Sequence, residues 1–130
     1  MLVEPRNIDQ TGDDLRMSDL FYCQQTLRAK HHWPEHLPDQ GPLLLLWAYG
    51  EMGEVGEIIK KKGNGAVMNN PAVRRHFVEE CGDVLMYLVD MMDSYGVTPE
   101  EISEAYARKW KKNMDRTWEE NRKLYEDEDE

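Results

Sequence analysis

Two cysteines in 130 residues, Cys23 and Cys81, stand far apart, with no CxxC and no Cys/His pair at zinc spacing. That argues against a disulfide framework and against a structural zinc site. Long apolar runs are also missing. The longest, "PLLLLWAY" at 42–49, is met by glycine and glutamate, well short of the roughly 18 residues a membrane span needs. The opening "MLVEPRNIDQ" has no secretory pattern, so a cytoplasmic protein with reduced thiols and no membrane partner is expected. Positive charge is scarce, with 16 Lys and Arg against 26 Asp and Glu and a formal net charge of -10. A protein that grips a nucleic acid polymer needs the opposite balance. Neither an alternating strand pattern nor an internal repeat is found.

What remains is helical periodicity and unevenly placed acid. The length suits one domain. Residues 1–16 lack a sustained period and read as an arm, and residues 121–130 close an acidic stretch with the composition of a solvated tail. Between them, residues 17–120 predict an all-α domain, a four-helix bundle. The first helix runs from about Ser18, as N-cap, to near Lys30, with Leu20, Cys23 and Leu27 on one side. The second spans about Pro42 to Lys62, and "GNGAVMN" follows as a loop. The third starts with Asn70 as cap and Pro71 as first residue, and stops at Gly96. The fourth opens on "TPEE", where Thr98 and Glu101 have capping-box spacing.

On a helical wheel of about 100° per residue, the second helix carries two stripes about 110° apart. One is apolar: Leu45, Ala48, Met52, Val55 and Ile59. The other is Trp47, Glu51, Glu54 and Ile58, two carboxylates bracketed by apolar residues, while Glu57 points to solvent. Gly53 and Gly56, each costing about 1 kcal/mol in a helix interior, suggest close helix approach. The third helix matches this arrangement. His76, Glu80, Asp83 and Tyr87 share one stripe, and Phe77, Cys81, Leu85, Leu88 and Met92 another. Four carboxylates facing one another need a hard cation or must take up protons. All-oxygen ligands favour Mg²⁺, with Mn²⁺ as a substitute, over zinc. On the fourth helix a stripe that begins with Ile102, Ala105 and Tyr106 continues as Lys109, Lys112, Asn113 and Arg116. Cations continuing a core stripe call for an anion, and with a metal nearby a polyphosphate serves both. Pairing across the bundle or snorkelling to water is the plainer alternative for these cations.

The order "ExxE" at Glu51 and Glu54, "ExxD" at Glu80 and Asp83 within "GDVLMYLVD", then "KxxKNxxR" at Lys109 to Arg116 resembles the all-α nucleoside triphosphate pyrophosphohydrolases of the MazG-like group. The resemblance covers about residues 18–118. It implies an oligomeric helical bundle, a homodimer or dimer of dimers. It also implies Mg²⁺ on the four acids and hydrolysis of an NTP or dNTP to the monophosphate and pyrophosphate, as in nucleotide pool sanitation. Gly50 stands where many of these enzymes carry an extra Glu, as in the shorter dCTPase-like and phage-type branches. In this picture the four acids neutralise charge and orient the attacking water through the metal, and Lys109, Lys112, Asn113 and Arg116 bind phosphate. Trp33 and His36 in "HHWPEHLP", with Trp47 and Tyr87, are the candidates to meet base or sugar, with Gln24 and Gln25 behind them. Packing is the alternative role for each aromatic.

Three other readings compete with this one. A di-iron carboxylate bundle needs Glu-x-x-His pairs, which neither acidic pair supplies. Phosphoribosyl-ATP pyrophosphohydrolase shares the superfamily and separates only by turnover. A non-catalytic helical interaction module separates by gaining nothing from metal.

Overall fold

Helical periodicity becomes helix at every place the sequence carries it. The computed structural model describes residues 14–35 and 37–116; the expected acidic tail, His36 and nearly all of the expected N-terminal arm lie outside the described residues. Among the described residues there are five α-helices, α1 (Met17–Lys30), α2 (Gly41–Lys62), α3 (Asn64–Asn69), α4 (Pro71–Ser94) and α5 (Pro99–Asp115), a 3₁₀ turn at Pro38–Gln40, and no strand. "GNGAVMN", expected as a loop, is the short helix α3. Its Val67 is buried, which gives the segment a reason to coil although its glycines and asparagines disfavour helix. No described helix is long and apolar enough to cross a membrane.

The chain divides into two compact units, one ending at Thr98 and one beginning at Pro99. In the first, α2 and α4 form the main packing pair, and α1 and α3 lie against α4. Residue pairs fix the direction and register. Glu51 meets Asp83, Trp47 meets Tyr87 edge-on at 5.8 Å between ring centroids, and the Tyr95 ring lies against Gly41. Rising numbers on α4 meet falling numbers on α2, so the helices are antiparallel. Gly41 is where a missing side chain matters, because a Cβ there would overlap the Tyr95 ring. A Cβ at Gly53 or Gly56 would meet nothing within 4 Å, so these two do not serve the approach of α2 to α4.

The buried face of α2 falls between the two expected stripes. Leu44, Ala48 and Ile58 are buried, with Glu51 and Val55 half-buried among them, whereas Leu45, Met52 and Ile59 are exposed. A helix that is apolar on most sides has no unique wheel phase; α4 covers only one narrow strip. On α1 the packed residues are Phe21, 1% exposed, and the polar Gln24 and Gln25, rather than Leu27, which is exposed. Gln24 Nε2 donates to Asp90 Oδ1 at 3.0 Å, Gln25 Nε2 to Asp93 Oδ1 at 3.2 Å, and Arg28 Nη1 to Asp93 Oδ2 at 3.2 Å. The docking of α1 on α4 is thus partly a polar clamp.

Helix ends follow local chemistry. Met17, not a residue after Ser18, opens α1. Asp19 Oδ2 accepts from the Arg16 backbone N–H at 2.7 Å, so the carboxylate inside the first turn does the capping. Asn70 caps α4 as expected, its Oδ1 accepting from the N–H groups of Ala72 at 3.1 Å and Val73 at 3.3 Å. Past Ser94 the chain turns through Gly96 at φ 73°, a left-handed conformation that a Cβ would strain. Replacing Asn70 by Ala should cost about 1 kcal/mol of stability and replacing it by Asp only a few tenths, readable as the shift of a urea unfolding midpoint.

Candidate active site

Antiparallel packing sets the acidic pair of α2 against that of α4. Ligand oxygens of Glu51, Glu80 and Asp83 lie within 4.8 Å of one another, and all three residues are half-buried. Among the described residues this is the one grouping of three or more metal-ligating side chains. Glu54, the fourth expected member, is exposed and outside the group, although its charge still reaches Glu51. The reason is angular: Glu51 sits inside the buried strip of α2, and three residues on the helix has turned about 300°.

Electrostatics record the crowding. The Glu51 carboxyl is pushed up from its ordinary value of 4.5 by burial first, then by a hydrogen bond with Glu80 and the charges of Asp83, Glu80 and Glu54. Glu80 Oε1 lies 3.2 Å from His76 Nε2. Its Oε2 is buried and has no hydrogen-bond partner. An orphaned carboxylate oxygen costs free energy that a coordinated cation recovers. Three oxygen donors with a buried unsatisfied lone pair therefore fit a hard divalent cation.

One turn along each helix from the acids, Trp47 and Tyr87 open onto a pocket of about 460 Å³. Trp33, Pro34, Leu43 and Leu44 complete its apolar lining, and Gln40 and Asp90 are its polar edge. Three of the four aromatic or imidazole residues expected to meet the base thus share one cavity; the fourth, His36, lies outside the described residues. Trp33 is held by the stacking of its ring on His31, with centroids 4.8 Å apart. Burial, then Glu51, Asp90 and Asp83, raises the Tyr87 phenol above its ordinary value. Asp90 was not among the residues the sequence singled out. Its signal was there, since it lies seven residues past Asp83 and three past Tyr87, on the same stripe.

In the second unit the expected phosphate residues all fall on α5 or just after it. Lys112 and Arg116 line a shallow concavity with Arg108, Lys111 and the acidic Asp115, while Lys109 and Asn113 line a neighbouring groove with Tyr106 and Trp110. Arg108 and Lys111 join the basic surface without having been expected there.

The family model for dATP/dGTP pyrophosphohydrolase matches residues 46–129, most of the chain. The chain belongs to the dATP/dGTP pyrophosphohydrolase family. That membership agrees with the MazG-like resemblance carried by the acid pairs. The region matched to the dATP/dGTP pyrophosphohydrolase model takes in Glu51, Glu54, Glu80, Asp83, Trp47, Tyr87 and α5, and it begins after α1 and Trp33. No curated protein and no solved structure matches the chain.

A raised carboxyl ties stability to pH. Folded Glu51 binds a proton more tightly than it does in the unfolded chain, where the ordinary value of 4.5 holds. The resulting stabilisation is complete below that value and is lost as pH rises through the raised folded one. In chelator, the melting temperature should therefore fall as pH rises from 5 toward 7. Glu51→Gln, which cannot ionise, should flatten that slope. An unchanged slope in the variant would mean that Glu51 feels no crowding.

Proposed function

We propose that the protein is a Mg²⁺-dependent pyrophosphohydrolase of purine deoxynucleoside triphosphates, releasing the nucleoside monophosphate and pyrophosphate in the cytoplasm. The observation that carries this reading is the adjacency of two features on one helix pair. Carboxylates that fit a divalent cation lie one turn, roughly 5 Å, from an aromatic-walled pocket. A nucleotide has the same order, phosphate then sugar then base. The family supplies the reaction class and, by its description, the purine deoxy substrates.

Water attacks the α-phosphorus, a P–O bond forms, and the bond from that phosphorus to the bridging oxygen breaks, with the electron pair leaving on pyrophosphate. A bound Mg²⁺, with Mn²⁺ as substitute, supplies charge neutralisation and lowers the pKa of water. Glu51, Glu80 and Asp83 would hold it, and Glu54, exposed on α2 outside that group, would be the carboxylate that stays free of the cation or joins from the edge. A carboxylate of this group left free of the cation accepts the proton of the attacking water. Lys109, Lys112, Asn113 and Arg116 take phosphate oxygens, for which the basic and mixed grooves of α5 give support. Trp33, Trp47 and Tyr87 enclose the base, excluding water from one side of the nucleotide. His36, four residues before the 3₁₀ turn ends, is a further candidate for the sugar or base.

The decisive assay incubates the protein with Mg²⁺ and dATP, dGTP and phosphoribosyl-ATP, measuring pyrophosphate separately from orthophosphate. Pyrophosphate from dATP or dGTP is expected. Asp83→Asn or Glu54→Gln should lower turnover by about two decades or more, and Asp83→Asn should also abolish the rise in melting temperature on adding Mg²⁺. Lys112→Ala should cost roughly one to two decades for every nucleotide alike, because it meets only groups common to all. Wild-type rates in both acid variants, or no thermal response to Mg²⁺ in the parent, would favour a non-catalytic helical module.

Assembly into a homodimer or dimer of dimers completes the proposal. Leu45, Leu46, Tyr49 and Met52 on α2, with Leu85 and Leu88 on α4, remain exposed, more apolar surface than a small monomer normally leaves to water. On α5, Tyr106, Trp110 and Met114 are likewise exposed. Sedimentation at micromolar concentration should give a species heavier than the monomer, and a monomer alone would count against it.

A further inference from the structure

We infer that His76 is a positioning residue for the divalent-cation site, holding the Glu80 carboxylate in the orientation that leaves one oxygen free for the metal. This rests on the metal reading of the acids in the proposed function. His76 Nε2 stands 3.2 Å from Glu80 Oε1 across one turn of α4, yet the imidazole does not itself join the grouping of Glu51, Glu80 and Asp83. It touches the site through a ligand. An ionised carboxylate only accepts, so the imidazole nitrogen carries the hydrogen, and a neutral ring in that tautomer is enough to donate it.

An exposed pair of this kind on a helix surface is by itself worth little, and the His76 side chain is 61% exposed. Glu80 sets this pair apart. Its side chain is only 18% exposed, and its Oε2 is buried with no hydrogen-bond partner. A glutamate has three side-chain torsions, through which the carboxylate could swing to water and relieve that oxygen, and the neighbouring Glu79 is exposed. The bond from His76 opposes that swing. Both oxygens lie in one plane, so gripping Oε1 from the rim keeps Oε2 buried, one oxygen engaged by the imidazole and the other left to a ligand. Partners that orient a ligating group in this way carry a large share of metal affinity. His76 lies one turn before Glu80, whereas Tyr87 lies one turn after Asp83, so the imidazole stands at the end of the acids away from the aromatic pocket. That placement gives it one competing role, direct contact with the outer phosphates, which the experiment separates.

The test measures Mn²⁺ binding to the intact protein without nucleotide, at one fixed pH, from the loss of the free-ion electron paramagnetic resonance signal. Parent, His76→Leu and His76→Gln are compared. Leucine removes the donor while keeping a good helix former at an exposed position, and glutamine keeps an amide donor that reaches one turn along a helix. His76→Leu should weaken Mn²⁺ binding roughly ten-fold or more, and His76→Gln should regain most of that loss. Melting temperatures in chelator should barely differ, because neither replacement disturbs buried packing. With dATP, the Mg²⁺ concentration that gives half the maximal rate should rise in His76→Leu by a factor similar to the loss of Mn²⁺ affinity, and the deficit should close as Mg²⁺ is raised. Parent-like Mn²⁺ affinity in His76→Leu would overturn the inference, as would equal losses in the two variants. A turnover deficit that persists at saturating Mg²⁺ would also overturn it and make His76 a phosphate contact. A parent that binds no Mn²⁺ would bring down the metal reading and this inference together. If Mn²⁺ binds in the expected order but no triphosphate is hydrolysed, the proposed activity falls and His76 keeps its role.

Discussion

Like charges forced together by packing are the constraint on which the first unit depends. The antiparallel seam of α2 and α4 is stabilised by Leu44, Ala48 and Ile58, all buried on α2, and the same register that buries them aligns Glu51 with Glu80 and Asp83. Burial of those apolar groups is worth about 1.5 to 3 kcal/mol for each large side chain, enough to hold a few carboxylates closer than they would choose. The cost is local, in a raised Glu51 carboxyl and an orphaned Glu80 oxygen. A helix pair built only for stability would place these acids on the outer faces, where most of the chain's charge already lies.

Much of this was legible from residue order. "ExxE" and "ExxD" inside apolar helices pointed to facing acids, and Asn70, Pro71, Pro99 and Gly96 marked helix ends where the structure has them. The phase of α2 was not legible. Four consecutive leucines followed by Trp, Ala and Tyr satisfy several wheel angles equally, and only the partner helix decides that Leu44 goes in and Leu45 stays out. α3 was missed because "GNGAVMN" carries turn residues, and a single buried Val67 outweighs them. Asp90 was missed for a different reason: an isolated acid near a helix end reads as solvated until the pocket and Gln24 are seen around it.

The role of α1 illustrates how tertiary contacts override apolar patterning. Its leucines suggested a hydrophobic face, yet the residues that meet α4 include Gln24, Gln25 and Arg28, which satisfy Asp90 and Asp93. Polar clamps of this sort are directional, since a hydrogen bond fixes angle as well as distance. An apolar contact would let α1 slide along α4; the amide and guanidinium groups give it one seat. The precision of the pocket edge is thereby set by a helix that lies outside the matched family region.

The rungs between α2 and α4 also bear on how such a protein changes over evolutionary time. Acids occupy one rung, Trp47 and Tyr87 the next, and Leu44 with Asp90 the one beyond. Substitutions two rungs apart, about 10 Å along the helices, share few neighbours, so their effects combine almost independently. Adjacent rungs are coupled, as the charges of Glu51 and Asp83 acting on Tyr87 show. Under the proposed function, a lineage could exchange one nucleotide for another by altering the distal rung while the acidic rung is left untouched. A helix pair of this kind behaves as a keyboard on which chemistry and taste are played with separate hands.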